Sequence, residues 1–90
     1  MNQNNRKQAV ALSYNDNKNT APIVVAKGKG IVAANLITKA KEHNIPIQED
    51  SSLVELLQQI QIHEQIPEEL YEVVAEIFAF VYQLDKKIKD

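Results

Sequence analysis

The stretch VVAKGKGIVAANLITKAKEHNIPIQED, residues 24–50, decides how the fold is interpreted. A strand-like run leads into Gly28-Lys29-Gly30-Ile31-Val32-Ala33, which fits the dinucleotide-binding pattern G-x-G-x-x-G/A. A helical pattern follows, and Glu49 and Asp50 come about where a ribose-binding acid belongs. One hypothesis is therefore a nucleotide-binding enzyme.

A sharp turn from a strand into a helix explains the same glycines more simply. Such a turn needs either a positive φ or a close approach of the backbone, and Gly28 and Gly30 can supply both. A dinucleotide domain also needs repeated strand-helix-strand units, and nothing after residue 50 resembles another one. The turn is the favoured interpretation, and no cofactor is expected.

The composition describes one small globular domain. The chain has 90 residues, 44% of them hydrophobic and 24% charged, with a formal net charge of -2. It has no cysteine, and His43 and His63 lack a second ligand at metal-binding spacing, so no disulfide and no metal site is expected. Scattered basic residues argue against nucleic-acid binding. No apolar run approaches the ~18 residues that span a bilayer, and no apolar signal region opens the chain.

The hydrophobic pattern predicts an α/β (mixed α+β) fold with a small sheet of three to four strands covered by about three helices. Strands are expected at 9–14, 23–27 and 45–48, and helices at 31–43, 52–60 and 67–84. The turn cluster at 15–20 should join the first two strands in antiparallel order. The third should lie parallel to residues 23–26 because strand-helix-strand units form right-handed crossovers. Residues 1–8 are expected to be disordered, 9–84 to form the domain and 85–90 a polar tail.

Local signals refine the helices. The first helix should bury Val32, Leu36, Ile37 and Ala40. Ser52 and Glu55 fit a capping box at the start of the second helix. Pro67 should open the last helix at its first turn.

The last helix carries two apolar seams about 100° apart around its axis. The first contains Leu70, Val74, Ile77, Val81 and Leu84, and the second contains Tyr71, Ala75, Phe78 and Tyr82. One seam is enough to cover the sheet. The other is either covered by further helices, in which case both seams are core, or left as a groove.

Three segments together resemble the cytoplasmic domain of the FlhB/YscU family, the specificity-switch proteins of flagellar and type III secretion export. They are AVALSYNDNKNTAPIVVAKGKG, NIPIQED and QIPEELYEVVAEIFAFVYQL, and the likeness covers residues 9–84. The resemblance implies that the glycines form a turn and not a nucleotide site. It also implies a cytoplasmic, non-enzymatic protein at the inner face of the plasma membrane, with export substrates and other export-gate proteins as partners.

The chain departs from the family pattern at its start. Members carry a membrane domain and then cleave themselves at Asn-Pro-Thr-His, where this sequence has Asn4-Asn5-Arg6-Lys7. Without the proline that asparagine cyclisation expels, no self-cleavage is expected, and no catalytic residue is assigned. The chain resembles the C-terminal cleavage product made separately, so it could instead complement a membrane-anchored relative. The strand that members place before the cleavage site is missing, which predicts an unpaired sheet edge.

The resemblance also implies a docking patch for export substrates. It maps onto Ala21 and Pro22, at the start of one strand, and onto Ala75 and Phe78 in the second seam of the last helix. All four positions are apolar here, and the small side chains leave room for a ligand. The alternative is that Phe78 belongs to the core.

Overall fold

The computed structural model describes residues 7–14 and 21–89, with side chains described up to residue 81. In chain order the elements are β1 (Gln8–Ser13), β2 (Ile23–Lys29), α1 (Ile31–Glu42), α2 (Ser51–Leu57), a 3-10 turn (Glu68–Leu70) and α3 (Tyr71–Lys89). The predicted mixed class is confirmed. Among these residues, no helix combines the length and apolar character that crossing a bilayer requires.

Strands β1 and β2 form an antiparallel pair, as predicted. The register runs from Gln8 opposite Lys29 to Ser13 opposite Ile23, with an irregularity at Ala11/Leu12 that leaves Val25 without a partner residue. β1 thus starts one residue ahead of the expected position. Of the segment 1–8, which was expected to be disordered, residues 1–6 lie outside the described residues, as does the expected turn at 15–20. Lys7 and Gln8 instead pair with the end of β2.

The predicted third strand is wrong, and so is its parallel pairing. Residues 45–50 have no regular structure and are exposed, and the sheet seen in the described ranges has two strands. The second edge of β2 is used instead by residues 63–66: Ile23 forms an antiparallel bridge with Gln65. The nitrogen of Val24 also donates to the Glu64 carbonyl at 3.0 Å. Pro46, which lacks an N–H, makes the predicted strand a poor competitor for that edge.

The glycines form the strand-to-helix turn. Gly30 immediately precedes α1 with φ 60° and ψ -126°, a backbone conformation that side chains disfavour. A Cβ on Gly28 would overlap the Val32 side chain, so this glycine lets α1 lie close against β2. No parallel strand follows α1 in the part of the chain described here. The strand-helix-strand unit that the nucleotide hypothesis requires is therefore not formed there.

The core lies between the sheet, α2 and α3. Its buried members are Ala21, Val24, Leu53, Leu57, Ile66 and Val74. Helix α1 buries Ala33 and half-buries the predicted Leu36, Ile37 and Ala40. Val32 is 54% exposed, contrary to prediction. It lies about 100° around the helix from Ala33, at the border of the packed face, where one of its methyl groups lies against Gly28.

The caps of α2 and α3 differ from the predicted ones. Asp50, not Ser52, caps α2: its Oδ1 accepts a hydrogen bond from the Leu53 nitrogen at 3.0 Å. Asp50 is the N-cap because its extended backbone places the carboxylate near the unpaired N–H groups of the first helical turn. The helix then ends at Leu57, three residues earlier than expected. Pro67 precedes the 3-10 turn, which delays the start of α3 to Tyr71.

Candidate functional site: an apolar cavity beside the last helix

The two seams of α3 have different surroundings. In the first seam, Val74 is 1% exposed and packs in the core, and Ile77 is half-buried against it. In the second seam, Tyr71 and Ala75 are exposed and Phe78 is half-buried. The two seams are therefore not both core over this part of the helix. The side chains of Tyr82 and Leu84 lie outside the described residues.

The second seam forms one wall of a cavity of about 200 Å³, which we call the α3 cavity. Its lining residues are Tyr14, Pro22, Tyr71, Ala75 and Phe78. The rings of Tyr14 and Phe78 lie 5.9 Å apart, centroid to centroid, at an angle of 44°. Such tilted aromatic pairs are favourable, and this one joins the end of β1 to α3. Tyr14 and Pro22, which follow β1 and precede β2, thus build one apolar surface with α3, a helix distant in sequence.

Of the four residues predicted from the resemblance, the structure brings three together. Pro22, Ala75 and Phe78 all line the α3 cavity. Ala21 does not line it: this residue is 1% exposed and belongs to the core cluster.

Sequence reasoning missed the two tyrosines as site residues. Tyr71 belongs to the second seam of the last helix, and this seam was the sequence feature that could have identified it as a site residue. Tyr14 follows Val10 and Leu12 in the alternation of β1, which predicts a large side chain on one face of a strand but not its approach to α3. That approach depends on how α3 packs across the core.

The lining suits binding better than catalysis. It consists of aromatic rings, a proline ring and a methyl group, with two phenol hydroxyls as the polar groups. No carboxylate, imidazole or amine lines the cavity. In the described ranges, no three His, Cys, Asp or Glu side chains are grouped as metal ligands. Phe78 also packs against the core, which holds its ring in place.

Of the four predicted cleavage-site residues, the structure describes one, Lys7. Asn4, Asn5 and Arg6 lie outside the described residues. The Lys7 carbonyl accepts a hydrogen bond from the Gly30 nitrogen at 2.8 Å, which extends the β1–β2 pairing by one residue pair. Lys7 is thus held by the sheet.

Comparison with protein families and sequences gives consistent matches. The model of the FlhB HrpN YscU SpaS family matches residues 3–81. An uncharacterized protein, YlqH of Bacillus subtilis, is 54% identical over 84 residues, which cover 93% of this chain and 90% of YlqH. The flagellar biosynthetic protein FlhB of the same species is 40% identical over 81 residues. The match covers 89% of this chain but only 22% of FlhB.

Solved structures match in fold as well. The cytoplasmic domain of FlhB from Shewanella putrefaciens superimposes with a TM-score of 0.85 at 36% identity, covering 91% of this chain and 64% of that one. A variant EscU/SpaS C-terminal domain gives a TM-score of 0.80 at 28% identity, covering 84% and 95% of the two chains. The observed architecture is therefore that of these C-terminal domains.

Proposed function

The chain belongs to the FlhB HrpN YscU SpaS family, and we propose that it is a non-enzymatic component or accessory of the flagellar or type III protein export gate. It binds export substrates or gate proteins through the α3 cavity and does not cleave itself. Its place is the cytoplasm, at the inner face of the plasma membrane. The match to about a fifth of FlhB supports a role at one part of the gate.

One observation carries the proposal: the buried Pro22, the exposed Ala75 and the half-buried Phe78 line a single cavity. The family resemblance implies these three residues, which come from two segments more than 50 positions apart. A core role for the second seam would have buried Ala75, which is exposed.

The cavity suits a short apolar segment of an unfolded substrate. Its rings offer contact area, while the small Ala75 side chain leaves room for an incoming side chain. The area buried would be small, and ordering the segment opposes binding. The complex should be weak and short-lived, which fits a gate that must release its cargo.

Pull-down with separate baits tests the proposal. The baits are an export substrate, an export-gate protein and a full-length membrane-anchored relative. The key variant is Ala75→Asp, because a carboxylate covered by an apolar ligand loses its hydration. Ala79→Asp is the matched control, since Ala79 is exposed on the same helix but does not line the cavity. Circular dichroism checks that both variants fold.

The expected result is capture of the parent chain by the substrate or the gate protein, loss of capture for Ala75→Asp and normal capture for Ala79→Asp. Equal capture of all three chains would refute the docking assignment. Unfolding of Ala75→Asp alone would also refute it, since that outcome would show Ala75 to be a packing residue.

A second candidate is a structural partner that complements a membrane-anchored relative. It is favoured by β1, which pairs with β2 and has no second strand neighbour among the described residues. Such an edge can accept a strand from another protein. If the full-length relative still captures the Ala75→Asp variant, that result would favour this candidate over the first.

A further inference from the structure

A second groove runs along the opposite flank of α3. It has a volume of about 250 Å³ and is lined by Gln48, Asp50, Val73, Glu76, Ile77 and Phe80. On the helix, Val73 and Phe80 lie about 140–160° around the axis from Ala75 and Phe78. We call it the acidic groove, and it is separate from the α3 cavity.

The floor of the acidic groove is apolar. Val73 and Ile77 are half-buried and pack on the core, which makes the floor rigid. Phe80 is 57% exposed, although its ring could bury a large area. Residues 73, 77 and 80 follow the spacing at which one helix face contacts a partner. The floor therefore presents preformed apolar surface to a ligand.

Carboxylates stand at its rim. Asp50 is held in place because its Oδ1 caps α2, and Glu76 is exposed beside Ile77. The sequence from His43 to Leu84 contains no lysine or arginine that could neutralise them. Over the same span the acids are Glu49, Asp50, Glu55, Glu64, Glu68, Glu69, Glu72 and Glu76. Residues 43–84 therefore carry eight acids and no lysine or arginine, whereas Lys86, Lys87 and Lys89, which continue α3, have side chains outside the described residues.

We propose that the acidic groove binds a basic amphipathic segment of a partner protein. Its aliphatic or aromatic side chain packs on Val73, Ile77 and Phe80. Lysine or arginine residues about one turn away pair with Asp50 and Glu76. The apolar floor supplies the contact area, and the charges select the partner, because an acidic segment would be repelled.

The test uses an amphipathic helical peptide of leucine and lysine, with leucine-glutamate and leucine-serine peptides as comparisons. NMR spectra of the isotope-labelled chain follow each titration. The basic peptide should shift the signals of Val73, Ile77 and Phe80, and rising salt should weaken its binding. Glu76→Lys should weaken binding roughly fivefold or more, the effect of losing an exposed ion pair and adding a like charge. Glu72→Lys is the matched control, an exposed acid of α3 that does not line the groove.

Three kinds of result would overturn the proposal. The first is no binding of the basic peptide, or equal binding of the acidic or serine peptide. The second is an equal loss for Glu72→Lys, which would indicate diffuse attraction to α3 and not a site. The third is signal changes centred on Ala75 and Phe78, which would move the contact to the α3 cavity.

Discussion

At the scale of single residues, two glycines make the start of α1 possible for different reasons. Gly30 adopts φ 60°, which costs a side-chain-bearing residue conformational energy. Gly28 leaves space for the Val32 side chain. The sequence predicted a turn here. The different roles of the two glycines became visible only from the backbone angles and the side-chain packing of the structure.

The two roles predict different responses to mutation. Gly30→Ala should lower the free energy of unfolding by about 1–3 kcal/mol, the cost of a strained backbone. Gly28→Ala should also destabilise, through the overlap with Val32, and adding Val32→Ala should restore part of that loss. Adding Val32→Ala to Gly30→Ala should restore none. Urea unfolding measures all four variants, and rescue of Gly30→Ala would contradict the backbone account.

At the scale of elements, Lys27 joins β2 to the end of α2. Its Nζ donates to the Gln58 carbonyl at 2.9 Å and to the Ile60 carbonyl at 2.7 Å. These carbonyls follow the last turn of α2, where helical partners are missing. In the other direction, the Gln58 Nε2 donates a hydrogen bond to the Gly28 carbonyl of β2 at 2.9 Å. The strand and the helix are thus connected by polar contacts as well as by the core.

Lys27→Met should therefore destabilise the domain, even though methionine, like the aliphatic part of lysine, is unbranched and apolar. The loss should be about 1–2 kcal/mol, because charge-assisted hydrogen bonds disappear and two carbonyls lose their donor. Lys29→Met is the control, since Lys29 is exposed on the same strand. Thermal unfolding of both variants distinguishes them: equal melting temperatures would show that the Lys27 contacts contribute no stability.

The elements also show what the sequence could predict. The helix α3 and the strand β1 were predicted from local pattern, and both elements are confirmed. The strand at 45–48 failed because pairing depends on competition for the edge of β2, which residues 63–66 occupy. The cap at Asp50 was missed because Ser52 offered a plausible alternative two residues later. The family resemblance implied Pro22, Ala75 and Phe78, which line one cavity, whereas the presence of Tyr14 in that lining required the packed structure.

At the scale of the whole molecule, the chain should remain in one piece. Asn4 is followed by Asn5, Arg6 and Lys7, without the proline that family members expel on cleavage. Intact mass spectrometry after prolonged incubation at neutral pH should give a single species with the mass of residues 1–90. The Asn4→Ala variant should also give a single species, with its mass lowered only by the difference between asparagine and alanine. A fragment starting at Asn5, present in the parent chain and absent from Asn4→Ala, would show that self-cleavage persists.

The central claim is that the α3 cavity is the docking site for export substrates. NMR titration of the isotope-labelled chain with a soluble export substrate tests it most directly. The account predicts that signal changes centre on Ala75, Phe78, Tyr14 and Tyr71, and that Ala75→Asp abolishes them while Ala79→Asp does not. Binding that shifts other residues and leaves these four unchanged would contradict the account.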